Sequence, residues 1–329
     1  MKYLGLLFLL SHTLASAQVR TIGQIVRLDP ALDLLLDQDA PIEILAEGFK
    51  WSEGPVWIKN GGYLLFSDVP QNIIFRWKQG EGLSEFLKPS GYTGYGYYSN
   101  EPGSNGLTMS RDGRLIAAEH GDRRVSIMPL HDGGKRTLAD NHAGKRFNSP
   151  NDVVQKSNGD IYFTDPPYGL PKQADDPSRE TPVFGVYRID TTGKTTLLID
   201  NLSRPNGLAF SPDEKTLYVA QSDPGMAAIF AYPVLADGTT GEGRIFFDAN
   251  PLRKSGLGGL PDGLRVDVQG NLFATGPGGV LVISPEGKLL GRIDTTQSNA
   301  NCGWGDDGSV LYITAHRYLC RVKTKTKGF

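Results

Sequence analysis

The chain has 329 residues, 41 of them glycine and 21 proline, with a mean hydropathy of −0.28. This is a turn-rich globular composition with enough apolar content for a large core. A formal charge of −2 excludes the basic field expected of a nucleic-acid or anionic-membrane partner, and Lys323, Lys325 and Lys327 read as a solvated terminus.

Lys2 provides a charged start, residues 4–10 an apolar run, and Ala15-Ser16-Ala17 a small-residue cleavage site ahead of Gln18. Residues 1–17 read as a secretory signal peptide, too short to span a bilayer. The mature chain, 18–329, is expected to be exported as one domain, periplasmic or extracellular, with no membrane attachment after cleavage. Residues 18–40 read as a lead-in with one helical turn. Ile42-Glu43-Ile44-Leu45-Ala46 then alternates as a strand does.

From Glu53 onward one phrase recurs six times: a polar residue opens a short apolar strand, a turn follows, and a second β-rich strand returns. Glu53, Asn105, Asn151, Asn206, Asp262 and Asn301 open the six units. The turn begins seven residues after the opening residue in the first five units and six after it in the last. Third strands are expected at 73–77, 124–130, 185–189, 229–234, 280–283 and 318–322. Fourth strands are expected at 85–87, 136–139, 195–199, 244–247 and 289–293. The sixth unit runs out of chain after its third strand, and 42–46 is the donor of the missing one. The spacing predicts an all-β, six-bladed β-propeller with four antiparallel strands per blade, its ring closed by an N-terminal strand.

Cys302 and Cys320 fall on the first and third strands of the last blade. Strands are about 4.8 Å apart, so this placement separates the two too widely for a disulfide and predicts two buried thiols. Two segments break the rhythm: residues 89–104, with Tyr92, Tyr95, Tyr97 and Tyr98 among glycines, and the Pro-rich insertion 166–182. Such insertions gather on the binding face of repeat proteins, so the tyrosine loop reads either as a self-packed surface loop or, through Tyr97, as an aromatic wall for a ring-shaped substrate.

First strands line a propeller's axis, so the six opening residues converge at one end of it. Two carboxylates and four amides facing one another favour a divalent cation with hard oxygen ligands, calcium first, with magnesium, manganese or zinc as alternatives. The competing view is that Asn and Asp only make turns at strand starts. No paired His or Cys-His spacing points to a dedicated zinc or copper site. Second strands return to the same face, which puts Asp68, His120, Asp165, Ser222-Asp223 and His316 around the mouth. His120 is the leading acid–base candidate among them, and Asp165 a substrate contact. His131 and His142 map elsewhere.

Glu53-Gly54-Pro55-Val56-Trp57, Asn148-Ser149-Pro150-Asn151-Asp152, Tyr162-Phe163-Thr164-Asp165-Pro166-Pro167-Tyr168-Gly169-Leu170, Arg204-Pro205-Asn206-Gly207-Leu208 and Pro261-Asp262-Gly263-Leu264 resemble the gluconolactonase/regucalcin-like family over nearly the whole mature chain. The resemblance implies a propeller with a divalent metal in its channel that hydrolyses sugar lactones, with other lactones and phosphotriesters in related members. It implies Glu53, Asn206 and Asp262 as metal ligands, and Asn151 as an Asn on metal or substrate. Asn105 and Asn151 are then substrate contacts beside Asp165 and Tyr97, and Asp262 or His120 the base. The regucalcin branch has Arg where this chain has Ser149, so that contact to sugar hydroxyls does not transfer. With no Gly-x-Ser-x-Gly elbow, a serine-hydrolase route is not supported. The alternatives are an exported propeller that binds a sugar or ion without chemistry, and a phosphotriesterase of the same fold.

Overall fold

The computed structural model describes residues 19–329. The expected signal peptide, residues 1–17, lies outside the described residues. Six antiparallel sheets follow one another round a ring, and each takes its strands in chain order from the axis outward, save that the N-terminal segment supplies the outermost strand of the last two. The innermost strands are Ser52–Ile58, Ser104–Met109, Val153–Gln155, Pro205–Phe210, Leu264–Val266 and Asn301–Gly305. Each touches the innermost strand of the next blade, and the sixth returns to the first. This is the six-bladed propeller that the repeat predicts.

The core is not one mass but six, one between each pair of neighbouring blades. A second strand such as Tyr63–Asp68 or Val310–Ala315 is therefore buried at every position, with a neighbouring blade on each face. This is why second strands read as near-continuous apolar runs rather than alternating ones.

The last blade closes as expected: Glu43–Glu47 pairs with Tyr318–Lys323, with Glu43 opposite Arg321 and Ile44 opposite Cys320. An Arg321–Glu43 ion pair of 2.6 Å pins the junction. Closure removes the open edges that a linear array of blades would expose. The lead-in does more than the sequence suggests. Gln24–Arg27 adds a fifth strand to the rim of blade five, pairing with residues 291–294. A 3₁₀ turn, Pro30–Leu34, capped by the Asp29 carboxylate, then seats Leu32, Leu35 and Leu36 in the interface between blades five and six. A four-residue strand with only half-buried side chains carries too little alternation to be legible alone.

Cys302 and Cys320 are buried free thiols, separated by the strand that carries Ile313.

Candidate active site

Three of the polar residues that open the innermost strands lie at or beside breaks in the ladder, whereas Asn301 pairs regularly with Thr314. Register shifts fall at Glu53/Val56, Ser104/Leu107 and Pro205/Leu208, so Asn105 and Asn206 sit in bulges and Glu53, paired with Ser67, at the edge of one. A bulge re-aims its side chain, here toward the axis. The glycine after the polar residue has its own cause. A Cβ on Gly207 would lie 2.3 Å from the Asp262 carbonyl oxygen, and one on Gly106 would lie 2.8 Å from that of Asn151. The Asn-Gly pairs therefore mark where strands of adjacent blades meet backbone to backbone.

Above this ring lies a cavity of about 530 Å³, with Glu53, Asn105, Asn151, Asn206 and Asp262 on its wall together with Trp51, Glu101, Tyr168, Ser222, Arg253 and Asn299. Five of the six opening residues are thus brought together. The sixth, Asn301, is buried outside the cavity lining, where its amide oxygen accepts from the Cys302 N–H at 2.9 Å.

The floor is electrostatically loaded. Burial first, and then the Asp152 charge, push the Glu53 carboxyl up to about 8. Burial and the nearby Glu53 carboxylate hold Asp262 well above the usual range, against a hydrogen bond from Asn206. Beneath them Asp152 is buried, its Oδ2 unpaired by hydrogen bonds and 3.8 Å from the Arg265 guanidinium. Two facing carboxylates with no cation of their own are an unfavourable arrangement in a medium of low dielectric.

His120 is not on the cavity wall. It is fully buried beneath it, and burial brings its imidazole down to about 4. Its Nδ1 lies 3.1 Å from the Glu101 carbonyl oxygen and therefore carries the proton. The bare Nε2 faces the Asn105 and Asn151 amide nitrogens at 3.5 and 3.4 Å. Both amides thus turn their NH₂ groups toward the ring and their oxygens away from it. Asn105 Oδ1 is buried with no partner at all. The structure thus places His120, the expected acid–base candidate, beneath the cavity wall and not on it.

Asp165, expected as a substrate contact, is not on the cavity wall either. Its carboxylate accepts the Asn148 and Ser149 backbone N–H groups, each at 2.8 Å, and the Asn148 amide at 3.0 Å, within a fully buried pocket of its own. Burial pushes it up to about 7, with those hydrogen bonds pulling back. Asp68 does the same for the Lys50 and Trp51 N–H groups, and the Gln221 amide oxygen for the Arg204 N–H. The polar residue ending these second strands clamps the segment leading into the innermost strand. Tyr97 points outward, 79 % exposed, and donates to Asn100. It lines nothing.

The aromatic walls come instead from Trp51 and Tyr168. The Tyr168 hydroxyl is buried without a partner, near Ser222 and Asn206. Ser149 seats the segment that carries it: its hydroxyl donates to the Pro166 carbonyl at 2.6 Å and accepts from the Gly169 N–H at 3.0 Å. Glu101 also went unread in the sequence, although it is the lone acid in the tyrosine-rich segment. It lines the cavity, burial pushes it up to about 7, and its Oε2 lies 3.9 Å from His120 Nδ1.

Among the described residues no cluster of three or more His, Cys, Asp or Glu side chains is arranged for a metal. The donors are instead two carboxylates and amide oxygens. This all-oxygen set, with an orphaned Asn105 oxygen and two mutually repelling acids, fits a hard cation such as calcium and fits zinc poorly.

Residues 51–317 match the family described as the SMP-30/Gluconolactonase/LRE-like region. The chain is 43% identical over 320 residues to a gluconolactonase of Zymomonas mobilis, covering 94% of this chain and 88% of that one. A solved gluconolactonase from Xanthomonas campestris superposes with a TM-score of 0.81 at 32% identity, over 94% of this chain and 98% of that one. The calcium-binding protein regucalcin from Agrobacterium tumefaciens shares the fold, with a TM-score of 0.69 at 18% identity over 87% and 94% of the two chains. Set beside the assembled carboxylates, these likenesses support a lactone hydrolase. The chain belongs to the SMP-30/gluconolactonase/LRE-like family.

Proposed function

We propose that the chain hydrolyses a sugar lactone of the gluconolactone kind to its aldonic acid in the axial cavity, with a divalent cation held by Glu53, Asn151, Asn206 and Asp262. The observation that carries this reading is the pair of buried, facing carboxylates, Glu53 and Asp262, set among amide oxygens at the end of a cavity that admits a sugar ring. When bound, the cation supplies positive charge against the lactone carbonyl and quiets the repulsion between the two acids.

The protein's own groups supply the rest. Asp262 takes a proton from water as its oxygen bonds to the carbonyl carbon. The same proton passes to the ring oxygen as the acyl C–O bond breaks, leaving a carboxylic acid and a free hydroxyl. Glu101 and Asn105 face the cavity as hydrogen-bond partners for sugar hydroxyls. Trp51 and Tyr168 cover the ring and restrict water to the attacking face. The leader-like residues 1–17 support export of the enzyme to the periplasm or beyond the cell.

A pH-stat assay on glucono-1,5-lactone, with and without chelator, tests the reading. Acid release is expected to depend on added calcium, and Asp262→Asn to lower kcat by roughly 10³-fold or more with the fold retained. Tight sugar binding without turnover would leave only a binding propeller.

A further inference from the structure

We propose that the cavity also takes lactones bearing an oxyanionic substituent, a carboxylate or a phosphate, remote from the reacting carbonyl, with Arg253 as the residue that recognises it. This rests on the lactonase reading above and extends it to a second substrate class.

Around the cavity Arg253 is the single cationic side chain, against the carboxylates of Glu53, Glu101 and Asp262. The charges are segregated by the fold. Glu53 and Asp262 open innermost strands at the axis. Arg253 comes from a short helix, Asn250–Lys254, in the connection between the outer strand of blade four, Arg244–Asp248, and the inner strand of blade five. A lactone placed with its carbonyl on the axis shares the cavity with Arg253.

The guanidinium is held without a direct ion pair. Its Nη1 donates to the Pro224 carbonyl oxygen, which fixes the fork. Among the described residues no carboxylate lies within 4.0 Å of it. The nearby Asp223 accepts from the Ser203 hydroxyl and from the Gly225 N–H at 2.7 Å, and its charge, felt by Arg204 as well as Arg253, offsets the Arg253 charge only in part. Nε and Nη2 are left without protein partners, in the planar geometry that matches two oxygens of one anion. Leu257 and Leu260 line the same wall and thin the solvent around the pair, which strengthens it. A cavity of about 530 Å³ exceeds what an unsubstituted hexonolactone ring fills, so a charged group has room.

The experiment compares calcium-loaded wild type, Arg253→Gln and Arg253→Lys on glucono-1,5-lactone, 6-phosphogluconolactone and glucarolactone, with circular dichroism to establish folding. Arg253→Gln is expected to lower kcat/KM for the charged lactones about tenfold or more beyond its effect on the neutral one, mainly through KM. Arg253→Lys should restore the phosphorylated substrate more than the carboxylated one, because Lys keeps a point charge and loses the fork. That contrast shows which anion the wall prefers. An unchanged charged-to-neutral ratio overturns the proposal, as does a wild type that turns over only the neutral lactone. If no lactone is turned over at all, the lactonase reading fails, and calorimetric binding of 6-phosphogluconate against gluconate decides this one separately. A preference for the phosphorylated acid that Arg253→Gln abolishes supports it, and the absence of any preference overturns it.

Discussion

The Nε2 atom of His120 lies 3.4 Å from the Asn151 amide nitrogen, so a buried neutral imidazole sets the direction of a side chain on the cavity wall. An aromatic base that is sealed off acts through the amides it orients. His120→Leu is expected to reduce kcat/KM roughly 10- to 100-fold, the usual size of an outer-shell loss, without shifting either limb of the pH–rate profile. A larger loss accompanied by a missing limb would restore His120 as the base.

The Glu53 carboxyl titrates near 4.5 in an unfolded chain and near 8 in the metal-free fold. Between those values the unfolded state is ionised and the folded state is not, so ionisation favours unfolding. Chelator-treated protein is therefore expected to be most stable below about pH 4.5 with respect to this group, and to lose that stability progressively up to about pH 8. Thermal melts of wild type and Glu53→Gln across this range, in chelator, should diverge as the pH rises, with the wild type falling. Calcium should reverse the difference, because it binds only the folded state. Parallel curves would show that the fold does not raise the Glu53 carboxyl.

Asp165 carries two backbone N–H groups that have no other acceptor in their buried pocket. Asp165→Ala leaves both unpaired, and a loss on the order of 2–4 kcal/mol is expected in urea denaturation. The folded fraction should keep most of its kcat. Lost activity at an unchanged denaturation midpoint would instead mark Asp165 as a substrate contact.

Burial pushes the thiols of Cys302 and Cys320 up to about 12. At pH 8 neither forms enough thiolate to react, and neither is reachable. Ellman's reagent is expected to find no thiol in the native protein and two after denaturation under non-reducing conditions. A disulfide would give none in either state.

What the sequence determined by itself is the periodic part of the molecule. Six in-phase units, the donor strand at 42–46 and the convergence of Glu53, Asn105, Asn151, Asn206 and Asp262 are all consequences of spacing, and spacing is a one-dimensional property. Tertiary structure decided everything that depends on the direction of a side chain or the path of a non-repeating segment. Asp165 ends its second strand and His120 directly follows the end of another, yet one clamps backbone N–H groups and the other aims two cavity-wall amides, because different partners lie within a few ångströms of each. Trp51, Glu101, Tyr168 and Arg253 come from connections between strands, where no repeat constrains position. Only the closed ring brings them over the axis, since four segments far apart in sequence share a wall once six blades have exhausted the available turn.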